Sequence, residues 1–171
     1  FGDKNNYLIL RTSWVLGPIG SNFLLTMLEL HKNKDIIKVV SDQIGCITST
    51  ITLSRACWES IKKYTYEDFH KNNTSILHFT DSGVASWHDI AKAIGDIGFK
   101  HGLIPKPANV YPIKSCDFPM KAKRPNYSLL DCTQTYKTLN IEPLYWRNSL
   151  EDIIIKIKEI NKNFYPHESQ K

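Results

Sequence analysis

The chain has 171 residues, 42% of them hydrophobic, enough to bury one substantial core, so a single domain is the expectation. Eight Pro and eight Gly exclude a low-complexity tract, and no apolar run approaches the roughly 18 residues of a membrane span. The net charge of +5 comes from lysines spread along the chain, with only short groupings such as Lys121, Lys123 and Arg124 and a further set on the last helix and tail. A solvated surface accounts for it best, an anionic ligand next, and nucleic acid last. No signal sequence is visible, which sets a cytoplasmic protein as the expectation. Cys46, Cys57, Cys116 and Cys132 form no C-x-x-C pair and do not alternate with His at zinc spacing, so reduced, buried thiols and no metal are expected.

In chain order, the apolar run from Tyr7 to Leu10 reads as a buried strand that ends in a loop through Ser13-Trp14 to a Gly17-Pro18 turn. A βαβ protein has several elements before such a loop, so the chain reads as the back half of something larger. Ser21 or Asn22 caps a helix with Phe23, Leu24, Met27, Leu28 and Leu30 on its apolar side. Asp35 to Val40 reads as a short strand and Ser41 to Thr48 as a polar loop. A helix follows from about Thr50 to Tyr64, with Leu53, Ala56, Cys57 and Ile61 inward. Asn72-Asn73 breaks the chain before a strand, Ser75 to Phe79.

Ser86-Trp87-His88-Asp89 is a capping box for a helix that turns Ile90, Ala91, Ile94 and Ile97 inward and frays between Gly98 and Gly102. Leu103 to Pro119 holds four prolines and reads as an irregular or extended excursion. A short strand over Tyr127 to Leu130 and a short helix over Asp131 to Leu139 follow. Ser149-Leu150-Glu151-Asp152 is a second capping box, opening a closing helix with the stripe Leu150, Ile153, Ile154, Ile157. The domain is expected to span 1–162, with a loose polar tail over 163–171. Alternating strands and helices make the class α/β.

Three constellations stand out. Trp14 lies in a loop beyond the carboxyl end of a strand, where open α/β sheets bind ligands, although a Trp beside a strand is more often core. The loop Asp42-Gln43-Ile44-Gly45-Cys46-Ile47-Thr48 offers donors, acceptors and a glycine for close approach; capping the next helix explains it equally well. In Lys121-Ala122-Lys123-Arg124-Pro125, Arg124 suits a phosphate or carboxylate, and an exposed basic loop explains the segment about as well. Other signals fail. Gly95-Asp96-Ile97-Gly98 ends a helix instead of following a strand, so it is no dinucleotide fingerprint. The six histidines make no metalloprotease motif or recognisable triad, and no Tyr is followed by Lys four residues later.

In series, Leu10-Arg11-Thr12-Ser13-Trp14-Val15 with Gly17, Asn22-Phe23 with Met27-Leu28, Asp42-Gln43 with Gly45 and Thr48, Ser86-Trp87, and Ala122 with Arg124-Pro125, Ser128 and Leu130-Asp131 resemble the C-terminal part of the dTDP-4-dehydrorhamnose reductase family. This family belongs to the extended short-chain dehydrogenase/reductase superfamily, with a Rossmann-like α/β fold and a small substrate-binding region. The resemblance implies a reductase that converts the C4 ketone of a dTDP-linked deoxysugar to dTDP-L-rhamnose with NADPH or NADH. A Tyr with a lowered pKa beside a Lys supplies the proton. It implies that Trp14 faces the sugar, that Ser13 and Val15 lie near the nicotinamide, and that Asn22, Gln43 and Thr48 line the nucleotide-sugar side, with Arg124 as an anion contact. The partner is then a dTDP-sugar rather than nucleic acid or membrane, and a homodimer is left open.

The catalytic Tyr/Lys pair and the glycine-rich phosphate loop are expected upstream of Phe1, so the segment alone is expected to be inactive. Leu16 stands where the family has Tyr, and Cys46-Ile47 where it has Ser-Pro, which puts the exact substrate in question. Two other readings compete. One is a binding module like the regulatory subunit of methionine adenosyltransferase, which looks like the same family; the other is a reductase or epimerase of another nucleotide sugar.

Overall fold

A computed structural model describes residues 7–63, 76–118, 122 and 124–164. The elements are β1 (Ile9–Arg11), β2 (Val15–Leu16), α1 (Phe23–Asn33), β3 (Ile36–Val40), β4 (Ile44–Gly45), β5 (Thr48–Ser49), α2 (Thr50–Lys63), β6 (Ile76–His78), β7 (Ala85–Ser86), α3 (Trp87–Lys100), β8 (Asn109–Ile113), a 3-10 turn (Ser115–Asp117), α4 (Thr133–Leu139) and α5 (Trp146–Phe164). The strands pair two by two. β1–β6, β2–β5 and β3–β8 are parallel and β4–β7 is antiparallel. Helices lie between the members of most parallel pairs in sequence, as parallel pairing requires.

The larger core gathers Leu24, Met27 and Leu28 of α1, Ile37 and Val39 of β3, Ile90, Ala91, Ile94 and Ile97 of α3, and Leu150, Ile153, Ile154 and Ile157 of α5. These are the stripes that the helical period indicates. His31 is buried with them: its Nδ1 accepts the Ala108 N–H at 3.0 Å, so its Nε2–H donates to the Ala91 carbonyl at 3.0 Å. One imidazole thus ties α1, α3 and the approach to β8 together. A smaller core joins Ala56 of α2, Leu77 of β6, Phe79, and Leu139 and Ile141 at the end of α4.

The structure corrects several boundaries and faces. Ile9 is 44% exposed, so β1 is not a buried strand. The Ser41 to Thr48 stretch contributes β4 and the start of β5 instead of remaining a loop. On α2, Ala56 and Ser60 are buried while Cys57 and Ile61 face outward. The excursion from Leu103 contains β8, although Pro112 lies within it. Asn109 N–H donates to Asp35 O and Ser41 N–H to Ile113 O, so alternate residues bond to β3 and the Pro112 nitrogen points away from it. Over Tyr127 to Leu130 a single bridge from Tyr127 to Ile44 replaces the expected strand.

Helix α5 begins at Trp146, a turn before the expected Ser149 cap, because the Tyr145 carbonyl already receives the Asn148 and Ser149 N–H groups. It runs to Phe164 and takes in the start of the expected tail. The Asn72-Asn73 break, Lys121, Lys123 and the rest of the tail lie outside the described residues. Cys57 and Cys116 are exposed, unlike Cys46 and Cys132, so only two of the thiols are buried; all four are free.

Candidate functional site

Two loops at the carboxyl ends of strands are sewn together around Trp14. The Thr12 hydroxyl donates to Thr48 Oγ1 at 2.8 Å, and the Thr48 hydroxyl donates onward to the Ser13 carbonyl at 2.6 Å. The Ser13 hydroxyl reaches the Cys46 carbonyl at 3.2 Å, and the Thr48 N–H donates to the Trp14 carbonyl at 3.1 Å. β2–β5 pairing then continues the seam from Val15. Trp14 itself has φ of 48°, a left-handed conformation that a bulky side chain occupies only when its surroundings impose it. Its indole stacks on that of Trp87, with centroids 4.0 Å apart and planes 18° apart, and Phe23 lies 4.5 Å from Trp87. A side-chain carbon at Gly45 would fall 2.8 Å from the Trp14 ring, so β4 approaches this indole as closely as only glycine permits.

The remaining sequence-derived residues fall around this seam, with their polar atoms differently employed. Asn22 caps α1: its Oδ1 accepts the Leu25 N–H at 3.3 Å and its amide donates to the Gly17 carbonyl at 3.0 Å. Thr48 is fully buried, its hydroxyl engaged as donor and acceptor within the protein. Gln43 is buried and donates to Ser115 Oγ at 2.9 Å. Next to it, both Asp42 oxygens receive the Ser115 N–H at 3.0 Å, and one also receives its hydroxyl at 2.7 Å, which holds this carboxyl below the ordinary range. Val15 is 41% exposed on the same loop as Trp14. Arg124 is exposed and meets no carboxylate among the described residues. Its segment returns along β4, where Ile44 N–H donates to Asn126 O and Ser128 N–H donates to Ile44 O. The segment that carries Arg124 thereby runs beside β4 despite the long separation in sequence.

A buried polar cluster that no motif marks lies behind the seam. The Asp81 carboxylate accepts the Ser49 N–H at 2.9 Å and the Thr52 hydroxyl at 2.7 Å, joining the end of β6 to the start of α2. Burial pushes its pKa up against those hydrogen bonds. The Cys46 thiol and the Thr80 hydroxyl both donate to the Asp81 carbonyl, and Tyr136 donates to the Thr80 carbonyl at 2.6 Å. Two cavities of about 220 Å³ each share Thr80, Asp81 and Tyr136 in their walls. The available signal was Thr80-Asp81-Ser82-Gly83, a polar tetrad directly after a strand.

Parallel strand pairs with helical crossovers, and loops converging beyond the strand ends, define an α/β protein with a loop-built rim at the strand ends. The chain belongs to the RmlD substrate binding domain family, whose model matches residues 2–159. It is 38% identical over 146 residues to the dTDP-4-dehydrorhamnose reductase of Aggregatibacter actinomycetemcomitans, covering 85% of this chain and 49% of the relative. The crystal structure of a dTDP-4-dehydrorhamnose reductase from Clostridium acetobutylicum superposes with a TM-score of 0.75 at 35% identity, over 89% of this chain and 49% of that one. The Bacillus anthracis reductase, crystallised in complex with NADP, gives 0.71 at 31% identity, over the same shares of the two chains. The chain therefore spans about half the length of the relatives it matches. The resemblance read from the sequence and the α/β class, that of part of a Rossmann-like extended reductase, are both established.

Proposed function

We propose that this chain is the substrate-binding portion of an NAD(P)H-dependent dTDP-4-dehydrorhamnose reductase, which reduces the C4 ketone of dTDP-4-dehydro-L-rhamnose to dTDP-L-rhamnose. The observation that carries this reading is the Trp14 loop, clamped onto the Gln43–Thr48 loop in a protein of this family. A half-buried indole held at the rim of two polar loops suits a sugar ring, whose C–H faces stack on aromatic surfaces while its hydroxyls need polar neighbours. Asn22, Gln43 and Thr48 serve this site chiefly by fixing the loops, since their side chains are already engaged. Arg124, exposed and without a carboxylate partner among the described residues, is suited to the diphosphate.

The nicotinamide cofactor, when bound, supplies the hydride. The residues present fit its reactive end: Ser13 is pinned to Cys46, and Val15 offers an exposed apolar side chain beside Trp14. Both are proposed as its contacts here. The dinucleotide-binding part and the Tyr/Lys pair belong to a further segment. The β1–β6 pair is where that segment's sheet would continue, because two parallel strands seldom form a sheet alone.

The test is expression of the complete reading frame, assayed for oxidation of NADPH and of NADH dependent on dTDP-4-dehydro-L-rhamnose. Turnover is expected, with loss of at least about tenfold in kcat/KM for Trp14→Ala, and none from the 171-residue segment alone. Turnover of a different nucleotide 4-keto sugar and not this one would overturn the substrate assignment.

A further inference from the structure

Trp87 stands at the first position of α3, where the reciprocal Ser86–Asp89 capping box fixes the start of the helix. Its indole is half-buried, covered by Trp14 at 4.0 Å and flanked by Phe23 at 4.5 Å. Trp14, on the opposing loop, combines a left-handed backbone with a ring that crowds Gly45. A ring on such a loop has two soft side-chain torsions, and whatever fixes them before a ligand arrives spares the ligand that ordering cost. The near-parallel stack is the contact able to do this. The hydrogen bonds of the seam hold only the Trp14 carbonyl and its neighbours, and none reaches the indole.

We propose that Trp87 is a positioning residue for the sugar-nucleotide site. It acts through Trp14, whose indole it holds against β4 in the pose that meets the ligand. This rests on the reading of Trp14 as the sugar-facing residue. It adds that the surface presented to the sugar is set by a helix-borne aromatic 73 residues further along the chain.

The experiment uses the protein encoded by the complete reading frame and its Trp87→Phe, Trp87→Leu and Trp14→Leu variants. The far-ultraviolet exciton couplet of the stacked indoles is read by circular dichroism without ligand. Affinity is read by calorimetric titration with dTDP-L-rhamnose, and folding by the melting temperature. The parent should show a couplet that all three variants lose. Trp87→Leu should bind about tenfold more weakly, with Trp87→Phe intermediate because a smaller ring still backs Trp14. Phe is included because it retains packing if Leu compromises folding.

A parent without the couplet would overturn the proposal outright. Parental affinity in a folded Trp87→Phe or Trp87→Leu, with weakened binding in Trp14→Leu, would overturn it while leaving the site reading intact. Parental affinity in Trp14→Leu, or no binding by the parent, would remove the site reading and this proposal with it.

Discussion

A methyl group at position 45 would stand 2.8 Å from the Trp14 indole, so Gly45→Ala must displace either the ring or β4. The expected cost is about 1–3 kcal/mol of overpacking, measured by urea denaturation, together with a weakened Trp14–Trp87 exciton signal. The positions where the sequence departs from its family lie close by but point elsewhere. Leu16, Cys46 and Ile47 are all buried, so these departures fall in the core behind the seam and not on its exposed side. Burial, with the nearby Asp81 carboxylate, pushes the Cys46 thiol up to about 12. At neutral pH it is a thiol, and thiols react slowly. A thiol-reactive chromophore should therefore label exposed Cys57 and Cys116 quickly in the native chain, with Cys46 and Cys132 following only on unfolding. Rapid labelling of all four would contradict the packing described for Cys46 and Cys132.

At the scale of elements, α3 is the clearest case of sequence becoming structure. Ser86 accepts the Asp89 N–H at 3.1 Å, and Asp89 accepts the Ser86 N–H at 2.9 Å. Ser86→Ala should cost about 1 kcal/mol in chemical denaturation. Burial opposes ionisation of Asp89, but the Ser86 hydroxyl and N–H outweigh it and hold the carboxyl below its ordinary value. A depressed folded-state pKa contributes stability above the ordinary aspartate value and loses it as pH falls through the depressed one. Asp89→Asn should accordingly show a smaller acid-side loss of stability than the parent, measured as melting temperature against pH.

The stripes of α1, α3 and α5 were legible because large aliphatics recur at helical spacing. The face of α2 was not. Its buried side carries the small Ala56 and Ser60, which allow close approach to the smaller core, and hydrophobicity alone favours the bulkier Cys57 and Ile61. The false cap at Ser149 has a similar origin. The motif is present, but the chain has already turned at Tyr145, and a local pattern cannot register a helix that starts upstream of it. For the candidate site, the Trp14 and Gln43–Thr48 loops could be read individually. That they form one surface, with Trp87 beneath, depends on contacts more than thirty residues apart in sequence.

At the scale of the molecule, the four strand pairs end differently. β8 pairs with β3 through its odd-numbered residues, so its even-numbered residues address the outer edge. There Pro112 offers no N–H, and the Val110 carbonyl is taken by the His88 Nε2–H at 3.2 Å. That edge is closed to further strands. Among the described residues, neither β1 nor β6 has a second strand partner, and Ile9 and Ile76 remain 44% and 40% exposed. The isolated chain should therefore self-associate as concentration rises, measured by sedimentation velocity, and Ile9→Lys should suppress it. Association left unchanged by Ile9→Lys would place the contact elsewhere.

The consequence of Pro112 and His88 is a direction of growth. Like a zip with a stop at one end, the β3–β8 pair resists growth past β8, whereas among the described residues the β1–β6 pair keeps its outer edges open. Any fusion, split reporter or complementing fragment joined to this chain should be attached there.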